Sequence, residues 1–358
     1  MTPKQEQEPA EEEPREVSPG IVRLQLPVDM PGLGHVNAYA IGDGRGVTLV
    51  DPGVPGDRSW KALLARLADA GLSPADVHTI LITHSHPDHF GGAHRLAEEV
   101  GAAIVTHGAW RTRLWPGDGR AAPCHHLAEL PDIDPADVAP SNPWEDPLPW
   151  GGESMASGWR RRLAEAGPAD RPQDWVPPEP DRGVADGDSL LLADREWICL
   201  YTPGHTLDHL CLYDPETGTL LSGDHVLPTI TPHIAGIGSG RDPLSSYVAS
   251  LDRVAGVGPV RVVLPAHGQP FADLAGRVAA IKRHHEERLD RVVRILEGLN
   301  RATVAELSHH LFRPDLWGPM AESEAYAHLE HLRLAGGVER RRRDDGLLEY
   351  SLATAERT

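Results

Sequence analysis

The sequence predicts an α/β fold, and three observations carry that prediction. Short strand patterns alternate with amphipathic helical patterns along most of the chain. Potential metal ligands recur directly after such strands, where loops held by a rigid scaffold commonly carry function. The chain has 358 residues, 40% of them hydrophobic, which is enough for one large domain and a smaller one.

The N-terminal residues 1–19 are rich in glutamate and proline and contain no apolar stretch. This composition predicts a disordered acidic tail and resembles neither a signal peptide nor a membrane span. The net charge of −19 argues against non-specific binding to nucleic acid or to an anionic membrane. Cys124, Cys199 and Cys211 are odd in number and widely spaced, as expected for reduced thiols of a cytoplasmic protein.

The first half of the folded chain is predicted to contain five strands, two helices and one ligand-bearing loop. Asp43-Gly44 is a hairpin signal between the second and third strands. The predicted strands are Val22–Val28, Val36–Ile41, Val47–Val50, Val77–Ile82 and Ala102–Thr106, and the predicted helices are Arg58–Ala70 and Ala93–Val100. Asp51 follows the third strand, where it either initiates a turn or orients a ligand histidine.

The ligand-bearing loop follows the strand Val77–Ile82 and holds His84, His86, Asp88 and His89. Extended backbone at both His84 and His86 would point their side chains to the same side, so that they could hold one ion. Pro87 ends the extended run and lets Asp88 and His89 face a second point. Imidazoles and carboxylates suit a divalent ion such as zinc. The alternative is a polar loop without metal, but four potential ligands in such close spacing favour a metal site.

Residues 108–185 are rich in proline and tryptophan and short of strand patterns. A long irregular insertion in a compact domain is usually functional or disordered, and the tryptophans argue against plain disorder. We therefore expect a partly helical lid or pocket wall, with short helices at Leu127–Leu130 and Gly158–Ala166. The alternative is a segment that packs on the surface of the domain or forms a homodimer contact.

Three further potential ligands lie just beyond short strands in the second half of the chain. His205 follows the strand Trp197–Tyr201, Asp224 follows Thr219–Ser222, and His267 follows Val260–Leu264. The remaining predicted elements are strands at Asp188–Leu192 and Leu210–Tyr213 and a long helix at Asp273–Leu299. A lone histidine after a strand is usually structural, but this recurrence completes a set with the first loop.

The set of motifs resembles the metallo-β-lactamase superfamily over roughly residues 20–285. The motifs are Thr-His-Ser-His-Pro-Asp-His, Pro-Gly-His-Thr, Ser-Gly-Asp and Pro-Ala-His-Gly, in that order, with Asp51 in Val-Asp-Pro-Gly before them. The resemblance implies an αββα sandwich with metal at one edge of two facing sheets. It assigns residues 20–299 to the catalytic domain, with the 108–185 insertion outside the motifs.

The resemblance also implies the role of each site residue. His84, His86 and His205 would hold a first ion, Asp88, His89 and His267 would hold a second, and Asp224 would bridge them. The cofactors would be two divalent ions, zinc as first choice and iron or manganese as alternatives, which share an attacking hydroxide. Asp88 and His209 are the candidate catalytic residues. Asp88 would relay a proton while ligating, and His209 would lie on the substrate side or act as a hydrogen-bond partner. Asp51 would orient a ligand histidine.

The aspartate at position 224 and the Gly-His-Thr-x-x-His pattern at 204–209 resemble the glyoxalase II-like branch. That branch implies hydrolysis of a small ester, thioester or lactone, with a small molecule as the partner. The alternatives are a metal-dependent endoribonuclease or phosphodiesterase and a mononuclear iron persulfide dioxygenase.

Residues 300–358 resemble a winged-helix module. The pattern is a helix at Thr303–Leu311 with a capping box to Glu306, a helix at Glu322–Ala335 and a hairpin within Val338–Leu352. Arg340–Arg343 suggests nucleic acid, but the neighbouring acidic residues argue against it. We expect this part to pack against the catalytic domain. If it is a separate module, its removal should leave metal binding intact.

Overall fold

The computed structural model describes residues 4–30, 32–110, 147–152 and 177–354. In this part of the chain the first sheet has seven strands in sequence order. They are β1 (Arg15–Ser18), β2 (Ile21–Met30), β3 (Leu33–Asp43), β4 (Gly46–Val50), β5 (Val77–Leu81), β6 (Ala103–His107) and β7 (Arg182–Val184). The strands from β1 to β4 pair antiparallel, and those from β4 to β7 pair parallel. The parallel half brings the ends of β4 and β5 together.

The described residues of the first half form three helices: α1 (Asp57–Asp69), α2 (Pro87–Phe90) and α3 (Ala93–Val100). The short α2 is the second half of the ligand loop and begins at Pro87, whose fixed φ suits the first helical position. Gly91 and Gly92 follow it where the chain passes close to other backbone. A Cβ on Gly92 would lie 2.4 Å from the Pro52 carbonyl oxygen, so a larger residue would push the ligand loop away from the end of β4.

The second sheet has the order β12-β11-β10-β9-β8 within the described residues. Its strands are β8 (Ser189–Leu192), β9 (Arg195–Tyr201), β10 (Leu210–Asp214), β11 (Thr219–Gly223) and β12 (Val262–Pro265). The pair β11–β12 is parallel, so both strands deliver their following residues, Asp224 and His267, to the same edge. Helices α4 (Pro243–Ala255) and α5 (Leu274–Leu299) complete this half.

Three buried clusters show the layer order. Between the sheets, residues of the first such as Tyr39 and Leu81 pack against residues of the second such as Trp197. Leu63 of α1 belongs to a cluster on the outer side of the first sheet, and Tyr247 of α4 to one on the outer side of the second. The arrangement is therefore helix, sheet, sheet, helix, as expected for the αββα sandwich.

The C-terminal part contains β13 (Ala302–Thr303), α6 (Val304–Leu311), α7 (Pro319–Leu334), β14 (Val338–Arg342) and β15 (Leu348–Leu352). The expected capping box is present, since Thr303 caps α6 and exchanges hydrogen bonds with Glu306. The small sheet has the order β13-β15-β14. Its core includes Leu296 of α5 and Trp150, so this part packs on the end of the long helix and on the described end of the insertion.

The prediction of a disordered tail for residues 1–19 is wrong for the described residues 4–19. Gln5–Gln7 forms a 3-10 turn, and Arg15–Ser18 pairs with β2 as strand β1. The Glu6 carboxylate is fully buried and accepts hydrogen bonds from the backbone N–H groups of Thr229 and Ile230, at 2.7 and 3.0 Å. Polar contacts rather than apolar burial order this segment, which is why hydrophobicity did not reveal it.

The insertion and the region after Asp224 also differ from expectation. Residues 182–184 of the 108–185 insertion form β7, while the helices expected at Leu127–Leu130 and Gly158–Ala166 lie outside the described residues. Helix α4 was not predicted, although Asp242 caps it and Pro243 occupies its first turn, a recognisable start signal. No helix in the described ranges is long and apolar enough to cross a membrane.

Candidate metal centre

A first cluster of potential ligands joins the end of β5 to the ends of β9 and β11. It consists of His84, His86, His205 and Asp224, whose ligand atoms lie within 4.8 Å of one another. The Nδ1 atom of His86 lies 3.0 Å from the Nε2 atoms of both His84 and His205. Asp224 Oδ2 lies 3.4 Å from His205 Nε2 and 3.9 Å from His84 Nε2. Three imidazoles and a carboxylate thus converge on one point.

A second cluster consists of Asp88, His89 and His267. Asp88 Oδ2 lies 3.6 Å from His89 Nε2 and 3.4 Å from His267 Nε2. The expectation that Pro87 turns Asp88 and His89 toward a second point agrees with this placement.

Asp224 lies between the two clusters. Its Oδ1 atom is 3.3 Å from His267 Nε2, and its Oδ2 atom is 3.7 Å from His89 Nε2 while also facing the first cluster. All seven residues predicted as ligands therefore meet in one place, and Asp224 reaches both groups.

Unpaired buried atoms test whether this set fits a metal. His89 Nε2, His267 Nε2 and Asp224 Oδ1 are buried and have no hydrogen-bond partner among the described residues. An unpaired buried polar atom costs free energy, so native proteins normally supply a partner. His267 Nε2 lies 3.3 Å from Asp224 Oδ1, and His89 Nε2 lies 3.7 Å from the other oxygen of the same carboxylate. A divalent cation at the second cluster would satisfy these atoms together. The donor set of nitrogen and carboxylate oxygen is the one that zinc and similar ions take.

Hydrogen bonds from Asp51 and Thr83 orient two of the ligand histidines. His89 Nδ1 donates to Asp51 Oδ2 at 2.9 Å, which leaves Nε2 facing the second cluster. The Thr83 hydroxyl donates to Asp51 Oδ2 at 2.7 Å and lies 3.1 Å from His84 Nδ1, whose proton it accepts. Asp51 thus fits the orienting role expected for it, and Thr83 extends that role to the first cluster.

Backbone carbonyl groups orient two further ligands. His205 Nδ1 donates to the carbonyl oxygen of His233 at 2.7 Å, and His267 Nδ1 donates to that of His35 at 2.6 Å. Both bonds fix the tautomer that leaves Nε2 free for an ion. Sequence reasoning did not find these partners, and no residue-type signal could have done so, because every residue carries a carbonyl group.

His209 lies behind the bridging carboxylate and is fully buried. Its Nε2 accepts a hydrogen bond from the Asp224 backbone N–H at 3.1 Å, and its Nδ1 donates to the Thr202 hydroxyl at 2.7 Å. Both ring nitrogens are therefore in use, and neither remains for a substrate. The geometry corrects the assignment of His209 as a catalytic residue and favours the alternative role of a hydrogen-bond partner that positions Asp224.

Burial and charge set the protonation of the cluster in the absence of an ion. Burial, followed by the neighbouring His205, lowers the pKa of His86 to about 3, so its imidazole is neutral and can ligate. Burial alone would lower the pKa of His267, but the Asp224 and Asp88 carboxylates outweigh it and raise that pKa to about 10. Burial alone would raise the pKa of Asp88, but His89 and His267 outweigh it and lower that pKa to about 2. The carboxylates thus attract positive charge to the second cluster.

Sequence comparison assigns the class of protein that this fold and site define. Residues 31–267, more than half of the chain, match the family described as the metallo-beta-lactamase superfamily. The chain belongs to this superfamily, as the motifs indicated. Its members are generally metal-dependent hydrolases, and that is the enzyme class of this chain.

The relatives include proteins that match almost end to end. A metallo-beta-lactamase family protein from Thermus thermophilus is 30% identical with a TM-score of 0.72, and the match covers 94% of this chain and 100% of that one. The beta-lactamase-like protein 2 homolog of Drosophila melanogaster is 25% identical, covering 85% of this chain and 84% of its own length.

Other relatives match over a shorter stretch. An acyl-coenzyme A thioesterase of Gallus gallus is 30% identical over 218 residues, which is 58% of this chain and 62% of that protein. The chain spans 36% of the length of the lactamase-like protein vrtG of Penicillium aethiopicum.

Proposed function

We propose that this chain is a dinuclear metal-dependent hydrolase that cleaves small acyl thioesters, with esters and lactones as alternative substrates. One observation carries the proposal: two ligand clusters share Asp224, whose two carboxylate oxygens face different histidines. In thioester hydrolysis, water adds its oxygen to the acyl carbon and the C–S bond breaks, which yields a carboxylic acid and a thiol.

The proposed roles follow from the two clusters. His84, His86 and His205 would hold the first ion, Asp88, His89 and His267 would hold the second, and Asp224 would serve both. When bound, the ions supply an activated water and positive charge that stabilises the developing oxyanion. Asp88 is the proposed proton acceptor, because its Oδ2 atom lies beside His267 at the junction of the clusters. Zinc is the proposed metal, with iron and manganese as alternatives.

The thioester class is supported by the relative from Gallus gallus, which is named an acyl-coenzyme A thioesterase. The aspartate at position 224 and the buried His209 after the Gly-His-Thr motif support placement in the glyoxalase II-like branch, where thioesters and lactones are expected substrates. The second cluster supports two ions rather than the single iron of a persulfide dioxygenase.

We further propose that residues 300–358 form a winged-helix-like module that does not bind nucleic acid. Its arginine run is already engaged: Arg340 pairs with Glu330, and Arg341 pairs with Glu349.

The cytoplasm is the proposed location, supported by the free, buried Cys199 and Cys211. A homodimer contact through the 108–185 insertion stays a hypothesis.

The test is metal content per chain, on protein purified without added metal, together with hydrolysis of a panel of acyl-coenzyme A thioesters, lactones and a single-stranded RNA. We expect two zinc ions and thioester cleavage that a chelator abolishes and added zinc restores. One iron without hydrolysis would replace the proposal with the dioxygenase, and RNA cleavage would replace it with the nuclease. Lactone cleavage in preference to thioester cleavage would change the substrate class only.

A further inference from the structure

The loop of residues 228–242, which joins β11 to α4, holds one metal ligand at two points. The carbonyl oxygen of His233 accepts the Nδ1 proton of His205 at 2.7 Å. The hydroxyl of Ser239 donates to the carbonyl oxygen of His205 at 3.2 Å. The position of the 228–242 loop therefore sets both the backbone and the ring orientation of His205.

This loop is in turn attached to α7 of the C-terminal part by three side-chain contacts. His233 Nδ1 lies 3.2 Å from Glu324 Oε2, and because a carboxylate can only accept, the ring donates. The Gly236 backbone N–H donates to the Ser323 hydroxyl at 3.0 Å. At the end of the loop, His331 Nδ1 lies 3.1 Å from the Asp242 carboxylate.

Glu324 is the contact nearest to His205 and is itself held from the other side. Its Oε1 atom accepts a hydrogen bond from Arg288 of α5, and its side chain is only 12% exposed. Two partners therefore restrict this carboxylate, and it can hold the His233 ring in one position. The chain of contacts is continuous from Arg288 through Glu324 and His233 to His205.

Close packing of the loop against α7 requires a glycine. A Cβ on Gly236 would lie 2.6 Å from Tyr326 Cδ1 and 2.7 Å from the Ser323 carbonyl oxygen. Helix α7 and the loop are thus in direct contact over their central residues, which leaves the loop little freedom to move without the helix.

We propose that Glu324 is a positioning residue of the metal centre and that the C-terminal part is a working component of the first metal site. Glu324 acts through the His233 ring, whose backbone carbonyl orients His205. The inference rests on the proposed metal-binding function. It replaces the expectation that residues 300–358 are a separate module whose removal leaves metal binding intact.

The proposal predicts a selective effect, because the loop orients only one ligand by this route. His205 belongs to the first cluster, whereas His267 of the second cluster is oriented by His35 and His89 by Asp51. A loss of general stability would weaken both ions together, so selectivity separates positioning from mere support of the fold.

The experiment compares Glu324→Ala, His233→Ala and the double variant with the unaltered full-length protein. His233→Ala keeps the carbonyl group but removes the ring that Glu324 holds. Glu322→Ala is the matched control, since this glutamate of the same helix accepts a hydrogen bond from Trp150 instead. Zinc affinities of both sites are measured by competition with a chromophoric chelator, alongside the thermal unfolding midpoint.

We expect Glu324→Ala and His233→Ala each to weaken one ion about 10- to 100-fold while the other ion is unchanged. The double variant should be no weaker than either single one, because both break the same link. Glu322→Ala should match the unaltered protein. If Glu324→Ala fails to fold, His233→Ala decides alone.

Two results would overturn the inference: unchanged affinity at both sites in His233→Ala, or equal weakening of both ions. An unaltered protein that binds neither zinc nor iron nor manganese would instead refute the proposed function itself, so the two failures are distinguishable.

Discussion

Asp51 connects the two ligand clusters although it belongs to neither. Its carboxylate accepts hydrogen bonds from His89 of the second cluster and from Thr83, whose hydroxyl contacts His84 of the first. It also accepts the Thr83 backbone N–H at 2.8 Å. One buried side chain therefore sets the tautomers of two ligands and the conformation at the start of the ligand loop.

Asp51→Ala should weaken zinc binding at both sites by about 10- to 100-fold, less than the loss of any ligand. The reason is that the ligands remain but lose the acceptor that orients them. Chelator competition measures the effect. Asp43→Ala is the matched control, because Asp43 also lies beside a histidine, with its Oδ2 atom 3.1 Å from His78 Nε2, but away from the centre. A loss in Asp51→Ala as large as that of a ligand variant would contradict the orienting role.

Asp224→Ala should remove metal and activity together, because its two oxygens face both clusters. We expect metal content to fall from two ions to one or fewer and thioester hydrolysis to fall at least about 100-fold, since the change removes a ligand and not merely a partner of one. Elemental analysis of the purified variant checks the first part and a thioester assay the second. Retention of two ions with full turnover would rule out the bridging assignment.

At the scale of elements, the N-terminal segment of residues 4–12 is a strap beside the second cluster. The Glu8 carbonyl oxygen accepts a hydrogen bond from His35 Nδ1 at 2.7 Å, and His35 Nε2 accepts the Gly268 N–H at 3.0 Å. His35 is also the residue whose carbonyl orients His267. The strap thus supports a metal ligand through β3, in the way that α7 supports another through the 228–242 loop.

Glu6→Ala should lower the free energy of unfolding by about 1–3 kcal/mol, because it leaves the N–H groups of Thr229 and Ile230 without their acceptor. Urea denaturation followed by circular dichroism measures the change. Glu8→Ala is the control in the same strap, because Glu8 is exposed whereas Glu6 is buried. Equal free energies of unfolding in the two variants would show that the hydrogen bonds of Glu6 do not stabilise the protein.

At the scale of the whole molecule, buried neutral histidines connect the catalytic sandwich with the C-terminal part. His285 of α5 stacks on His328 of α7, with Nδ1 of the first 3.2 Å from Nε2 of the second. Burial, and next the neighbouring His328, lowers the pKa of His285 to about 2. His285 therefore stays neutral in the folded protein below about pH 6.5, where the same side chain binds a proton in the unfolded chain.

This difference predicts acid sensitivity with a defined sign. Between about pH 6.5 and pH 2 the unfolded state binds the extra proton, so stability falls as the pH drops below about 6.5. His285→Gln should reduce the slope of unfolding free energy against pH by about 1.4 kcal/mol per pH unit in that window. Urea unfolding between about pH 4.5 and about pH 5.5 measures the slope, because this range lies about one to two units below the ordinary histidine pKa. The exposed His310→Gln serves as the control, and an unchanged slope in His285→Gln would contradict the prediction.

Much of the fold could be predicted from the chain alone, because its signals are local. Predicted strands and helices such as Val77–Ile82 and Ala93–Val100 agree with β5 and α3 to within a residue. Strand β1 could not be predicted, because a short polar segment shows no hydrophobic alternation and forms a strand only by pairing with β2. Helix α4 could have been predicted, because Asp242-Pro243 is a recognisable signal for the start of a helix.

The amino-acid sequence indicated which side chains meet at the centre, because each ligand group follows an apolar strand and the order of the motifs resembles a superfamily that holds metal at one edge of two facing sheets. Only the tertiary structure decided what orients those ligands. Thr83 and Asp51 hold His84 and His89, whereas the carbonyl groups of His233 and His35 hold His205 and His267. A carbonyl group is present in every residue, and a glutamate such as Glu324 resembles any other on a helix. Their roles depend on which distant segments pack together, and the fold as a whole sets that packing.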